Sequence, residues 1–143
     1  MGYGQMLLVM LAVVLFSSII LTTQNNLFTL AQSAYRAMIA MQGYKIADRF
    51  LQEIEALNIS GKMSFDNIYN NFRFTDSLIT INDIHYFVTS TTNWCNQYGG
   101  SPTDTLRNYM RADIQVNGVM GTDTTRIGTP EAPITNIYGK TGQ

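Results

Sequence analysis

The residues Met6-Leu-Leu-Val-Met-Leu-Ala-Val-Val-Leu-Phe-Ser-Ser-Ile-Ile-Leu21 form an apolar run broken only by Ser17 and Ser18. No charged side chain precedes Arg36. At about 1.5 Å of rise per residue, the run and its neutral flanks reach roughly 25–30 Å as a helix, close to the hydrocarbon thickness of a bilayer. A helix that is apolar all round is not stable facing water. It requires lipid, a protein core, or copies of itself. A secretory signal would carry a basic n-region, a shorter apolar stretch and a small-residue cleavage site. Met1-Gly2-Tyr3-Gly4-Gln5 has no Lys or Arg, and no Ala-x-Ala follows the run. The expectation is a segment retained in the working protein, with a short basic leader ahead of Met1 left open.

The helical pattern continues past Leu21. Thr22 to Asn26 is polar but holds no Gly or Pro. Leu27, Leu30, Ala31, Ala34, Met38, Met41, Ala47, Phe50, Ile54 and Leu57 then recur at spacings of mostly three and four, a single helical stripe. Gln32, Arg36, Gln42, Asp48, Arg49, Gln52 and Glu53 mark the other side. Gly43 falls inside the pattern, where glycine costs about 1 kcal/mol relative to alanine, so a bend or a close contact is expected there. Asn58-Ile59-Ser60-Gly61 ends the element, with Gly61 suited to a left-handed cap. A helix of about 55 residues, within 1–58, measures about 80 Å, too long for a small globular core. Its first half is apolar and its second half amphipathic.

The remainder, 59–143, reads as a small β-rich domain. Lys62 to Phe74 is mixed and aromatic. Leu78 to Ile81 and His85 to Thr92 read as two strands around an Asn82-Asp83 turn. Gln97 to Thr103 reads as a loop. From Leu106 to Val116 polarity alternates, with Met110, Ala112, Ile114 and Val116 on one face. Asn117-Gly118 is a hairpin signal, with Val119 to Ile127 returning. A stiff loop, 128–133, leads to a short strand at Ile134 to Tyr138. The predicted fold is α+β: one very long N-terminal helix packed through its amphipathic half against a small antiparallel sheet.

This architecture resembles a type IV pilin or a related pilin-like subunit. The likeness covers the helix and, more loosely, the β-rich remainder. In that family the apolar helix first anchors the subunit in the inner membrane and later forms the core of a helical filament. Where the family usually has Glu at position five, this chain has Gln5, isosteric but uncharged. The family's two-cysteine carboxy-terminal loop has no counterpart, since Cys95 is the one cysteine. The resemblance implies a structural subunit of an extracellular filament on the cell surface, membrane-anchored before assembly. Its implied partners are other copies of the chain, the inner membrane and the pilus assembly machinery. The alternative is a single-pass membrane-anchored component of a pilus or secretion machine. The candidate core and membrane residues are Gln5, Met6, Leu7, Leu8, Val9, Leu11, Val13, Val14, Leu15, Phe16, Ile19, Ile20 and Leu21.

Other chemistry is thin. Net charge is −1 and charged residues are 13% of the chain, against the basic stripe a nucleic-acid binder presents. No nucleic-acid partner, cofactor, metal or catalytic site is expected. One histidine, His85, and one cysteine, Cys95, make neither a zinc site nor a nucleophile pair. They read as a solvated strand histidine and a small buried hydrophobe. Asp48, Glu53 and Glu55 read as a solvated or intersubunit helix face. Asn58-Ile59-Ser60 matches the N-glycosylation pattern at the helix end, where it is expected to be accessible. The many tyrosines read as packing and interface residues.

Overall fold

A computed structural model describes residues 2–101 and 107–141. The elements are α1 (Tyr3–Ser60), α2 (Phe65–Asn71), β1 (Phe74–Ile81), β2 (Ile84–Cys95), β3 (Tyr109–Met120), β4 (Asp123–Ile127) and β5 (Ile134–Gly139). The α+β fold read from the sequence is the one observed. The chain divides into two compact units, Met1–Met38 and Ile39–Gln143. The first is helix alone, and none of its described residues is buried. The second takes in the end of α1 together with α2 and the sheet.

Within the second unit α1 turns one stripe toward the sheet: Ile39, Gly43, Ile46, Ala47, Leu51, Ile54 and Asn58. This stripe differs from the expected one. Ala47 and Ile54 belong to both, Phe50 and Leu57 are half-buried, and Met41 is exposed. A wheel of spacings contains more than one apolar line, and Ile39, Ile46 and Leu51 form the line that meets the sheet. Across the interface lie Ile84, Tyr86, Val88, Met110, Ala112, Ile114, Val116, Ile127 and Tyr138, all buried.

Glycines on both partners let helix and sheet approach. A Cβ on Gly43 would sit 2.6 Å from Ile127 Cδ1 and 3.4 Å from Val116 Cγ1. One on Gly118 would collide with Ile39 Cγ2 and stand 3.1 Å from Tyr86 Cε1. Of the two roles open to Gly43, a close contact is present. Gly118 corrects an expectation. The Asn117-Gly118 pair is not a turn but lies within β3, paired with Phe87 and Tyr86 of β2. It is glycine because Ile39 packs onto it. The turn falls four residues later, at Gly121-Thr122, where Gly121 takes φ +61° as the first central residue of the loop between Met120 and Asp123.

The sheet is antiparallel, in the order β1-β2-β3-β4, with β5 also on β3. β4 pairs with the Val116–Met120 end of β3 and β5 with its Tyr109–Ile114 end, so two short strands share one edge. Asn82 and Asp83, at φ +49° and +61°, make the expected tight turn between β1 and β2. A bulge between Phe74 and Ser77 carries Asp76 at φ +52°. β1, β2 and β5 run longer than expected, β3 continues to Met120, and β4 starts at Asp123 instead of Val119, while the Leu106 start expected for β3 lies outside the described residues. The helix α2 was not expected. Ser64 caps it, its hydroxyl accepting from the Asn67 N–H at 3.3 Å, and Phe65 and Ile68 are buried beneath it.

Two phenols tie the layers. The Tyr138 hydroxyl donates to the Leu51 carbonyl at 2.7 Å, and the Tyr86 hydroxyl donates to Gln42 Oε1 at 2.6 Å. Burial pushes the Tyr138 phenol up to about 12, and the Tyr86 phenol is raised for the same reason.

Candidate functional site

The feature that demands a function is the apolar stretch of α1. From Met6 to Leu21 every large hydrophobic side chain is exposed, from 43% at Ile20 to 68% at Leu7 and Leu8. Gln5 is exposed beside them. Exposure continues through Leu27, Phe28, Leu30 and Tyr35. A soluble monomer rarely leaves an apolar patch of more than a few hundred Å2 uncovered. By length and composition α1 contains a segment able to cross a membrane.

The polar groups of this stretch suit burial in an apolar medium. Thr22 donates its hydroxyl to the Ser18 carbonyl at 2.8 Å, Thr23 to Ile19 at 2.9 Å and Thr29 to Asn25 at 2.9 Å. Each is a bond to the carbonyl four residues back, so these hydroxyls need no water. Gln5 is uncharged and costs less to bury than an unpaired carboxylate. No acidic residue lies in the first turn of the helix.

The remaining candidates are scattered. His85 is exposed on the sheet face away from α1, with Nδ1 3.0 Å from the Thr80 hydroxyl. Cys95 is buried, and burial pushes its thiol up, with Arg111 lowering it and Asp113 raising it to smaller extents. It is a packed hydrophobe rather than a reactive thiolate. Asp48, Glu53 and Glu55 are exposed on the helix, and the Gln52 amide donates to Asp48 Oδ2 at 2.7 Å. Asn58 is the exception to the expected accessibility. It is 8% exposed, its amide nitrogen donates to the Gly139 carbonyl at 2.9 Å, and the Thr141 hydroxyl bonds its backbone carbonyl at 2.8 Å. A glycan on that nitrogen requires the end of β5 to move away.

Two clusters escaped the sequence reading. Arg111 holds Asp113 through Nε at 3.0 Å and Nη2 at 2.9 Å, and Thr135 donates to Asp113 Oδ1 at 2.7 Å. Arg111 Nη1 also donates to the Gly99 carbonyl at 3.0 Å, drawing the loop after β2 over the sheet and burying Asp113. The other is an aromatic pair, Tyr69 and Trp94, flanked by Arg73 and Arg107. Both depend on strand register and loop path, which spacing in one sequence does not encode. Among the described residues no three His, Cys, Asp or Glu side chains gather.

No family model, curated protein or solved structure matches the chain.

Proposed function

We propose that this chain is a pilin-like structural subunit that polymerises into an extracellular helical filament. The observation that carries the reading is a helix continuous from Tyr3 to Ser60 of which nothing before Ile39 is buried in the single chain. Identical apolar helices packed side by side would cover Met6–Leu21 on every side. A head-to-tail contact that does not close into a ring propagates as an open helix of subunits. Before assembly the same segment would reside in the inner membrane, where Ala12, Ser17, Ser18, Thr22 and Thr23 offer small or self-bonded surfaces for helix contacts. The sheet unit would then form the outer surface, and the partners would be other copies and the machinery that assembles them. The role is structural rather than enzymatic.

The second reading is a single-pass membrane-anchored component of a pilus or secretion machine. The same membrane-competent segment near the N-terminus favours it. Filaments sheared from cells making the protein separate the two. Thin, uniform filaments in negative stain, with this chain as their main component by mass spectrometry, are expected. Recovery of the chain only in the membrane fraction would reject the filament and leave the anchored component.

A further inference from the structure

Four side chains make a continuous stack on the surface of the second unit. Tyr69 and Trp94 lie face to face, 4.4 Å between centroids and 9° between planes. The Arg73 guanidinium lies 5.3 Å from the Tyr69 centroid and donates to its hydroxyl at 3.3 Å. The Arg107 guanidinium lies 5.5 Å from the Trp94 centroid. Phe65 also packs against Trp94, 5.8 Å between centroids and tilted by 51°, and so holds the pair on the core. Both arginines are exposed, and neither has a carboxylate partner among the described residues. Beyond the one N–H that Arg73 gives to Tyr69, a guanidinium held against an aromatic ring keeps N–H groups pre-oriented for carboxylate contacts.

The complementary surface is on the same chain. Asp48 and Glu55 are exposed on α1 and stand two helical turns apart, about 10 Å along the axis. Asp48 is bonded by the neutral Gln52 amide, and neither carboxylate has a cationic partner among the described residues. Asp48 and Glu55 form a local acidic pair, with the exposed Lys45 one turn before Asp48. In a head-to-tail polymer every copy presents both patches, and different patches meet at each contact.

We infer that the Arg73–Tyr69–Trp94–Arg107 stack docks the Asp48/Glu55 face of a second copy. The inference rests on the filament reading for the reason copies meet, and its test does not. Two full-length variants in detergent micelles, Arg73→Glu with Arg107→Glu, and Asp48→Lys with Glu55→Lys, are compared by sedimentation alone and mixed, after near-ultraviolet dichroism shows each to be folded. Each alone repels itself. The mixture restores one acid–base contact in each direction and associates at least about tenfold more tightly than either alone, an advantage that high salt removes. Should the glutamates prevent folding, Arg73→Gln with Arg107→Gln is expected to lose the salt-sensitive self-association of the unaltered chain. A mixture no more associated than its components overturns the inference, whatever the filament images show. So does unchanged self-association in the arginine variants accompanied by lost retention on immobilised heparin, which would give the stack a polyanion partner instead.

Discussion

One helix runs through both units of the molecule and meets opposite fates in them. In Gly2–Met38 no residue is buried, although the side chains are the most apolar of the chain. In Ile39–Ser60 a single stripe is closed under a sheet, while Lys45, Asp48, Arg49 and Gln52 stay wet. Hydrophobicity alone does not decide burial; the availability of a complementary surface does. The second stretch finds one within its own chain, shaped by Gly43 and Gly118. The first is left uncovered, and by length and composition it is able to cross a membrane.

The contrast is broken most severely by a charge in the uncovered stretch. On the proposed filament reading, Val13→Asp or Leu15→Lys is expected to abolish filaments, because a charge stranded in hydrocarbon or an apolar core costs several kcal/mol. Normal filaments from either variant in negative stain would remove Met6–Leu21 from the core. The same chains in detergent are expected to keep the melting temperature of their sheet unit.

Truncation at matched positions sharpens the difference. Ile54 is fully buried against the sheet, and Ile54→Ala is expected to cost about 3 kcal/mol in denaturant unfolding. Leu15→Ala removes a similar side chain and is expected to leave that unfolding curve unmoved. Equal shifts would mean that the two stretches are not energetically separate. Gly118→Val is expected to destabilise by about 2 kcal/mol through overpacking against Ile39 and Tyr86, read as a lowered melting temperature.

Smaller effects test the ties between helix and sheet. Tyr138 holds its proton more tightly folded, at about 12, than its ordinary value of 10.0. Its contribution is therefore complete below pH 10 and is lost as pH rises toward 12. Tyr138→Phe is expected to cost about 1 kcal/mol at neutral pH and to flatten that alkaline loss, followed by dichroism and phenolate absorbance. At the small end, the buried Ser90 hydroxyl has no hydrogen-bond partner among the described residues. Ser90→Ala is expected to stabilise the sheet unit by up to about 1 kcal/mol, and a clear destabilisation would reveal a partner for that hydroxyl.

Much of the fold was legible because it is local. Composition and spacing suffice for a long helix, for the Asn82-Asp83 turn, and for the face of β3 that carries Met110, Ala112, Ile114 and Val116. The helix α2 was also legible, in Ser64 followed by Asp66 and by Phe65, Ile68, Tyr69 and Phe72 at helical spacing, but its shortness hid it among aromatic residues. Gly118 misled because asparagine–glycine ordinarily marks a turn. Here the glycine answers a side chain on a helix some eighty residues earlier in the chain, a demand no short window contains.

The sequence by itself determined that an uncharged helical segment long enough to cross a bilayer begins this chain, and that a small antiparallel sheet follows. These follow from periodicity and from the cost of exposing apolar surface, both properties of neighbouring residues. Tertiary structure alone decided which stripe of the helix the sheet covers, that Asn58 is spent on Gly139 and Thr141, and that β4 and β5 divide one edge of β3. It also decided that two arginines far apart in sequence bracket one aromatic pair. Each of those depends on strand register and on how closely two backbones can approach, and such contacts exist only once distant segments have met.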